Sequence, residues 1–197
     1  MLDMKTLKRR YTMTSRAEAA SATKARILAS ARRVMAENTF DGMTLESVAA
    51  GARTTVRTVL RVFESKELLF ASALDTLGER GHGPIYPGDI RRTVGTVFEF
   101  YEKFGDTVIR WLADEHRIAS MHAHLEVGRQ HLRFWVNESF APTLDLVTGR
   151  KRRQMIDGLI VALDVYTWKL LRRDFRLKPD AARAVVQNLV AGITQGV

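Results

Sequence analysis

The sequence predicts an all-α protein: a small amino-terminal three-helix domain, then a larger helical domain, with about nine helices in all. Three observations carry this. Apolar residues recur at helical spacing through most of the chain, only 4 Pro and 13 Gly interrupt its 197 residues, and no alternating run is long enough to demand a sheet.

Residues 1–22 contain Lys5, Lys8, Arg9, Arg10 and Arg16 with little apolar periodicity, and read as a flexible basic arm. From Thr23 to Asn38, the residues Ile27, Leu28, Ala31, Val34 and Met35 form a buried stripe on a first helix. Phe40-Asp41-Gly42 ends it. Thr44 is expected to cap a short helix from Leu45 to about Gly51, and Thr54 or Thr55 another that ends near Arg61 to Phe63. Ser65-Lys66-Glu67 opens a fourth, running to about Gly81, with Glu67 in the first turn where the helix dipole favours an acid. Residues 23–81 thus form one domain.

His82-Gly83-Pro84 to Pro87-Gly88-Asp89 is the clearest break. Residues 89–197 form the second domain, with helices expected at about 89–103, 106–119, 122–140, 154–173 and 179–195. The helix 154–173 is apolar almost all round from Gly158 to Trp168, which predicts burial on every side. Arg150-Lys151-Arg152-Arg153 precedes it as a solvated loop.

Composition excludes several classes. The chain lacks Cys, so disulfides, thiolate nucleophiles and Cys-based metal sites are ruled out. No apolar run approaches the roughly 20 residues of a membrane span, and the basic amino terminus lacks the apolar core of a signal peptide, so a cytoplasmic protein is expected. Gly-x-Ser-x-Gly, Walker, dinucleotide and paired Glu-x-x-His patterns are all missing, which argues against an enzyme and implies no cofactor. His124 and His131 stand about 10 Å apart along a helix, too far for one zinc.

Net charge is +9. Residues 1–70 hold 13 Lys and Arg against 7 Asp and Glu, and residues 71–197 hold 18 against 15, so the positive excess lies at the amino-terminal end. A polyanion is expected there.

The stretch Leu45 to Phe63 has the layout of a helix-turn-helix. Val48, Ala52, Val59 and Val62 supply packing, and Ala49 permits close approach. The second helix presents Thr55, Val56, Arg57, Thr58 and Arg61. Arg can donate two bonds to guanine, Thr can reach a phosphate or a thymine methyl, and helix amino ends attract phosphate. The candidate DNA-contact set is Thr44, Arg53, Thr54, Thr55, Val56, Arg57, Thr58, Arg61 and Lys66.

These segments resemble the TetR family of regulators between Thr23 and Leu77. The resemblance lies in Ala25-Arg26-Ile27-Leu28, Phe40-Asp41-Gly42-Met43-Thr44, Val48-Ala49-Ala50, Thr58-Val59-Leu60-Arg61-Val62-Phe63 and Ser65-Lys66-Glu67-Leu68-Leu69. Three positions depart from the pattern. Arg53 stands where the family has Gly, and Gly51 is expected to absorb the bend, sparing Arg53 a positive φ that costs on the order of 1 kcal/mol. Leu60 replaces a phosphate-contacting Tyr, and Val62 replaces an aromatic residue or His.

The resemblance implies a sequence-specific transcriptional regulator, by default a repressor, acting on a palindromic double-stranded operator. It implies a homodimer formed through helices 154–173 and 179–195, and an unknown apolar or aromatic small-molecule effector bound by the second domain. Trp111, His116, Met121, Trp135 and Tyr166 are the candidate ligand residues, drawn from an aromatic-rich set that serves mainly as core. The alternatives are a ligand-independent architectural DNA-binding protein and a helical-bundle enzyme.

Overall fold

The computed structural model describes residues 4–75 and 83–195, with side chains described for 18–74 and 83–195. All regular structure among these residues is helical. The chain divides into two compact units, residues 1–76 and 77–197.

In the first unit, α1 (Met4–Glu37) is followed by α2 (Leu45–Gly51), α3 (Val56–Phe63) and α4 (Lys66–Asp75). The helix α1 begins far ahead of the expected Thr23, so residues 4–22 are helical where an arm was expected. The reason is local: no Gly or Pro occurs before Gly42, and Ala17, Ala19, Ala20 and Ala22 are strong helix formers. Ile27, Ala31, Val34 and Met35 are buried as one stripe, and Met43, Val48, Val59, Leu69 and Phe70 are buried in the same unit. Phe40 closes this core edge-on against Phe70, at 4.9 Å between centroids. The expected continuation of α4 to Gly81 lies outside the described residues.

The second unit contains α5 (Ile90–Asp114), α6 (Ala119–Ser139), α7 (Ala141–Leu144), α8 (Gly149–Leu163), α9 (Val165–Lys169), a π-helical turn (Leu170–Asp174) and α10 (Pro179–Gln195). Asp89 caps α5 by accepting from the Arg92 amide at 2.9 Å. Its core joins Val97, Phe98 and Tyr101 of α5 to Trp135 and Val136 of α6, Leu159 of α8, Trp168 of α9 and Val186 of α10.

Three sequence expectations are corrected here. The separate helices expected at 89–103 and 106–119 are one, and α5 runs straight through Phe104 and Gly105. Gly105 is buried against Trp168, so its missing side chain serves packing instead of a turn. The single helix expected over 154–173 is broken at Asp164, whose extended backbone (φ −79°, ψ 155°) ends α8 while its carboxylate caps α9. Within one chain Val161 and Tyr166 of the apolar stretch remain exposed, so the burial expected on every side is not completed by this chain's own helices. Finally, Arg150 to Arg153 lie in the first turn of α8, not in a loop. The Arg152 amide bonds to the Thr148 carbonyl and its guanidinium donates to Asn137 at 3.3 Å, which anchors the turn although four cations oppose the dipole there.

Candidate nucleic-acid interface

Two helix starts are built the same way. Thr44 accepts from the Ser47 amide at 3.1 Å and Thr55 from the Thr58 amide at 3.2 Å. Each hydroxyl thereby satisfies an orphan donor of its helix. Of the two capping candidates for α3, Thr55 performs the role; Thr54 is half-buried and its amide donates to the Ala49 carbonyl at 2.9 Å.

The turn between α2 and α3 is held at Arg53, which adopts φ 52°. The expectation that Gly51 would take the bend is therefore corrected. Gly51 is the last residue of α2, and a Cβ there would collide with Ser30 Oγ and Arg33 Nη2 of α1. That glycine permits the helices to touch, while Ser30 locks them by donating to the buried Val48 carbonyl at 2.9 Å. The left-handed backbone is left to an arginine, at a cost of about 1–2 kcal/mol.

On α3, Val59 and Phe63 point into the core. The other side presents Arg57 and Arg61, both exposed, with Val56 and Thr58 half-buried beside them. The Thr58 hydroxyl stands 3.1 Å from that of Thr55, so the two share a hydrogen bond. Leu60 is also exposed (37%), an apolar contact at the position where the related pattern has a hydrogen-bonding Tyr. Among the described residues Arg53, Arg57 and Arg61 have no ion-pair partner. A row of guanidiniums without carboxylates is the electrostatic form of a polyanion surface. Lys66, at the start of α4, is half-buried with its ammonium 4.4 Å from the Phe40 ring centroid, which restricts its reach.

Reading the sequence missed Arg26 and Arg33. Both lie on α1 and, with Ser30, Gly51 and Arg53, line a concavity of about 350 Å³ beside the turn. Their spacing of seven places them on one helix face, a signal present in the sequence but masked by the stronger apolar stripe of α1.

The candidate ligand residues of the second unit are scattered. Met121 and Trp135 are buried, and Trp135 donates its indole N–H to the Gly83 carbonyl at 3.1 Å, so its polar tip is occupied by the chain itself. Trp111 is buried edge-on to His124, at 5.5 Å between centroids, with no acceptor for its indole N–H among the described residues. His116 is exposed, and Tyr166 is 58% exposed on α9. Tyr166 thus lies on the surface of α9, whereas Trp111 and Trp135 are buried. His122 pairs with Glu115 at 3.2 Å, and Arg129 bonds the same carboxylate at 2.5 Å. That arginine bond holds the Glu115 carboxyl below the usual range. No group of three metal-ligating side chains occurs among the described residues. None of the described helices is long and apolar enough to cross a membrane.

A small unit with two capped helices, a tight turn and an outward cationic recognition helix defines a helix-turn-helix DNA-binding protein, here followed by a larger all-α unit. Residues 27–73 match the bacterial regulatory proteins of the tetR family, and the amino-terminal unit of this chain is a DNA-binding domain of that family. The fold as a whole is similar to a transcriptional regulator from Rhodococcus sp. Rha1, at 17% identity and TM-score 0.69 over 88% of this chain and 96% of that one. It is also similar to a tetR-family transcriptional regulator from Streptomyces coelicolor, at 17% identity and TM-score 0.67 over 87% of this chain and 78% of that one. No curated protein sequence matches the chain.

Proposed function

We propose that the protein is a cytoplasmic homodimeric repressor that binds a palindromic operator and changes its affinity when the second unit takes up an apolar or aromatic small molecule. The observation that carries the DNA reading is the outward face of α3, where Arg57 and Arg61 stand without carboxylate partners among the described residues. Arg57 is assigned to a base edge. Thr44, Thr54, Thr55, Thr58, Arg53 and Lys66 are assigned to the backbone, and Val56 to a thymine methyl.

Dimerisation is supported by the apolar residues that α8, α9 and α10 leave exposed. Val161 is 67% and Leu189 47% exposed, with Tyr166 and Val185 also on the surface of these helices and Leu170 on the π-helical turn between them. A dimer places two recognition helices on half-sites about 34–36 Å apart, or a multiple of that. Effector binding is supported by Trp111, whose buried, unpartnered N–H costs on the order of 1–3 kcal/mol unless an acceptor meets it. Met121 and Trp135 are the apolar candidates, and His116 a peripheral one.

The test is recovery of bound genomic DNA followed by titration of the resulting duplex. A shared inverted repeat, bound as two protomers, is expected. Binding without sequence preference would favour an architectural role. A compound that quenches Trp111 fluorescence should alter operator affinity, and the operator should alter the compound's affinity by the same factor.

A further inference from the structure

The geometry points to a phosphate-binding site built by Arg26, Arg33 and Arg53 in the concavity between α1 and the turn after α2. Each arginine is brought there by a different feature. Arg26 is oriented by donating Nε to the Ala52 carbonyl at 3.4 Å and Nη2 to Thr23 Oγ1 at 3.2 Å. Arg33 extends its guanidinium across Gly51, where a Cβ on the glycine would meet Nη2. Arg53 enters through its left-handed backbone at φ 52°.

The lining contains no Asp or Glu. Neither Arg33 nor Arg53 forms an ion pair with a described residue. Three like charges around one hollow of about 350 Å³ repel one another, and a bound anion reverses that repulsion. Ser30 does not compete, since its hydroxyl proton goes to the Val48 carbonyl. Planar guanidiniums bind tetrahedral oxyanions through paired N–H donors, which selects phosphate chemistry over a simple halide. The site also accounts for an arginine at a turn position where glycine would relieve backbone strain. The phosphate comes from a DNA backbone phosphodiester or from free inorganic phosphate; only the first source rests on the DNA-binding reading.

The experiment uses the full-length protein and its Arg33→Gln variant, with Arg53→Gln as the second variant if the first fails to fold by circular dichroism. One arm titrates inorganic phosphate calorimetrically at constant ionic strength. The other measures how affinity for a random-sequence duplex depends on salt. A backbone phosphate predicts that the slope of log K against log salt falls in magnitude by about 1 in the variant. Free phosphate predicts a binding isotherm in the wild-type protein that the variant loses. Identical behaviour of wild type and variant in both arms overturns the site. A wild-type protein that binds no duplex sinks the proposed function alone, and the phosphate arm then decides the site by itself.

Discussion

The Trp168 ring lies against the bare Cα of Gly105, so close that a Cβ on the glycine would stand 2.6 Å from Trp168 Cη2. The rest of the indole is held as tightly. Its N–H donates to Glu102 at 2.9 Å, and Arg173 stacks over the ring at 4.5 Å while pairing with Asp106 at 2.8 Å. Glu102 and Asp106 flank Gly105 one turn before and one residue after it, so α5 grips α9 through a single aromatic plate.

Gly105→Ala is therefore expected to destabilise the protein by about 1–3 kcal/mol, because a close-packed ring must move. Gly95, on the same helix, has nothing within 4 Å of an added Cβ. Gly95→Ala should stabilise by about 0.5–1 kcal/mol through helix propensity. Urea melts of the two variants give the contrast directly, and equal effects would refute the packing role of Trp168.

At the turn, Arg53→Gly should relieve the positive φ and stabilise the protein by about 1 kcal/mol, whereas Arg53→Ala should leave the strain in place. Both variants should bind DNA more weakly, since both lose the charge. Melting temperature and duplex affinity, measured together, separate backbone strain from contact.

Replacing Arg57 by Ala should weaken operator binding by about 1–3 kcal/mol while leaving random-sequence affinity nearly unchanged. Equal losses on both duplexes, read by fluorescence anisotropy, would reassign Arg57 to a phosphate.

Leu189→Asp tests the dimer. Leu189 is 47% exposed in one chain, so the substitution should leave each protomer folded. A charge placed in a buried seam costs about 3 kcal/mol, which raises the dimer dissociation constant on the order of 100-fold. Light scattering at tens of micromolar is the readout, and a wild-type monomer under those conditions would remove the interface.

Stability should also fall in acid. Hydrogen bonds from Arg172, Arg173 and Arg129 hold the carboxyls of Glu102, Asp106 and Glu115 below their ordinary range. The unfolded chain then binds more protons, so the contribution is full above the ordinary carboxylate pKa of about 4 and is lost as pH falls through the folded values. Urea midpoints should drop across that window, and Glu102→Gln should make the drop shallower.

Much of this was legible in the residue order. The stripe Ile27, Ala31, Val34 and Met35, the caps Thr44 and Thr55, and the outward Arg57 and Arg61 all follow from local periodicity and capping chemistry, which act over a few residues. What tertiary structure decided were the cases where distant atoms compete for the same space. Gly105 looks like a breaker until Trp168, 63 residues later, occupies the room where its side chain would be. Gly51 looks like the hinge until α1 claims its bare face, which passes the strained φ to Arg53. Glycine's missing side chain suits both a turn and a close contact, and only the neighbour that arrives from elsewhere in the chain determines which use it has.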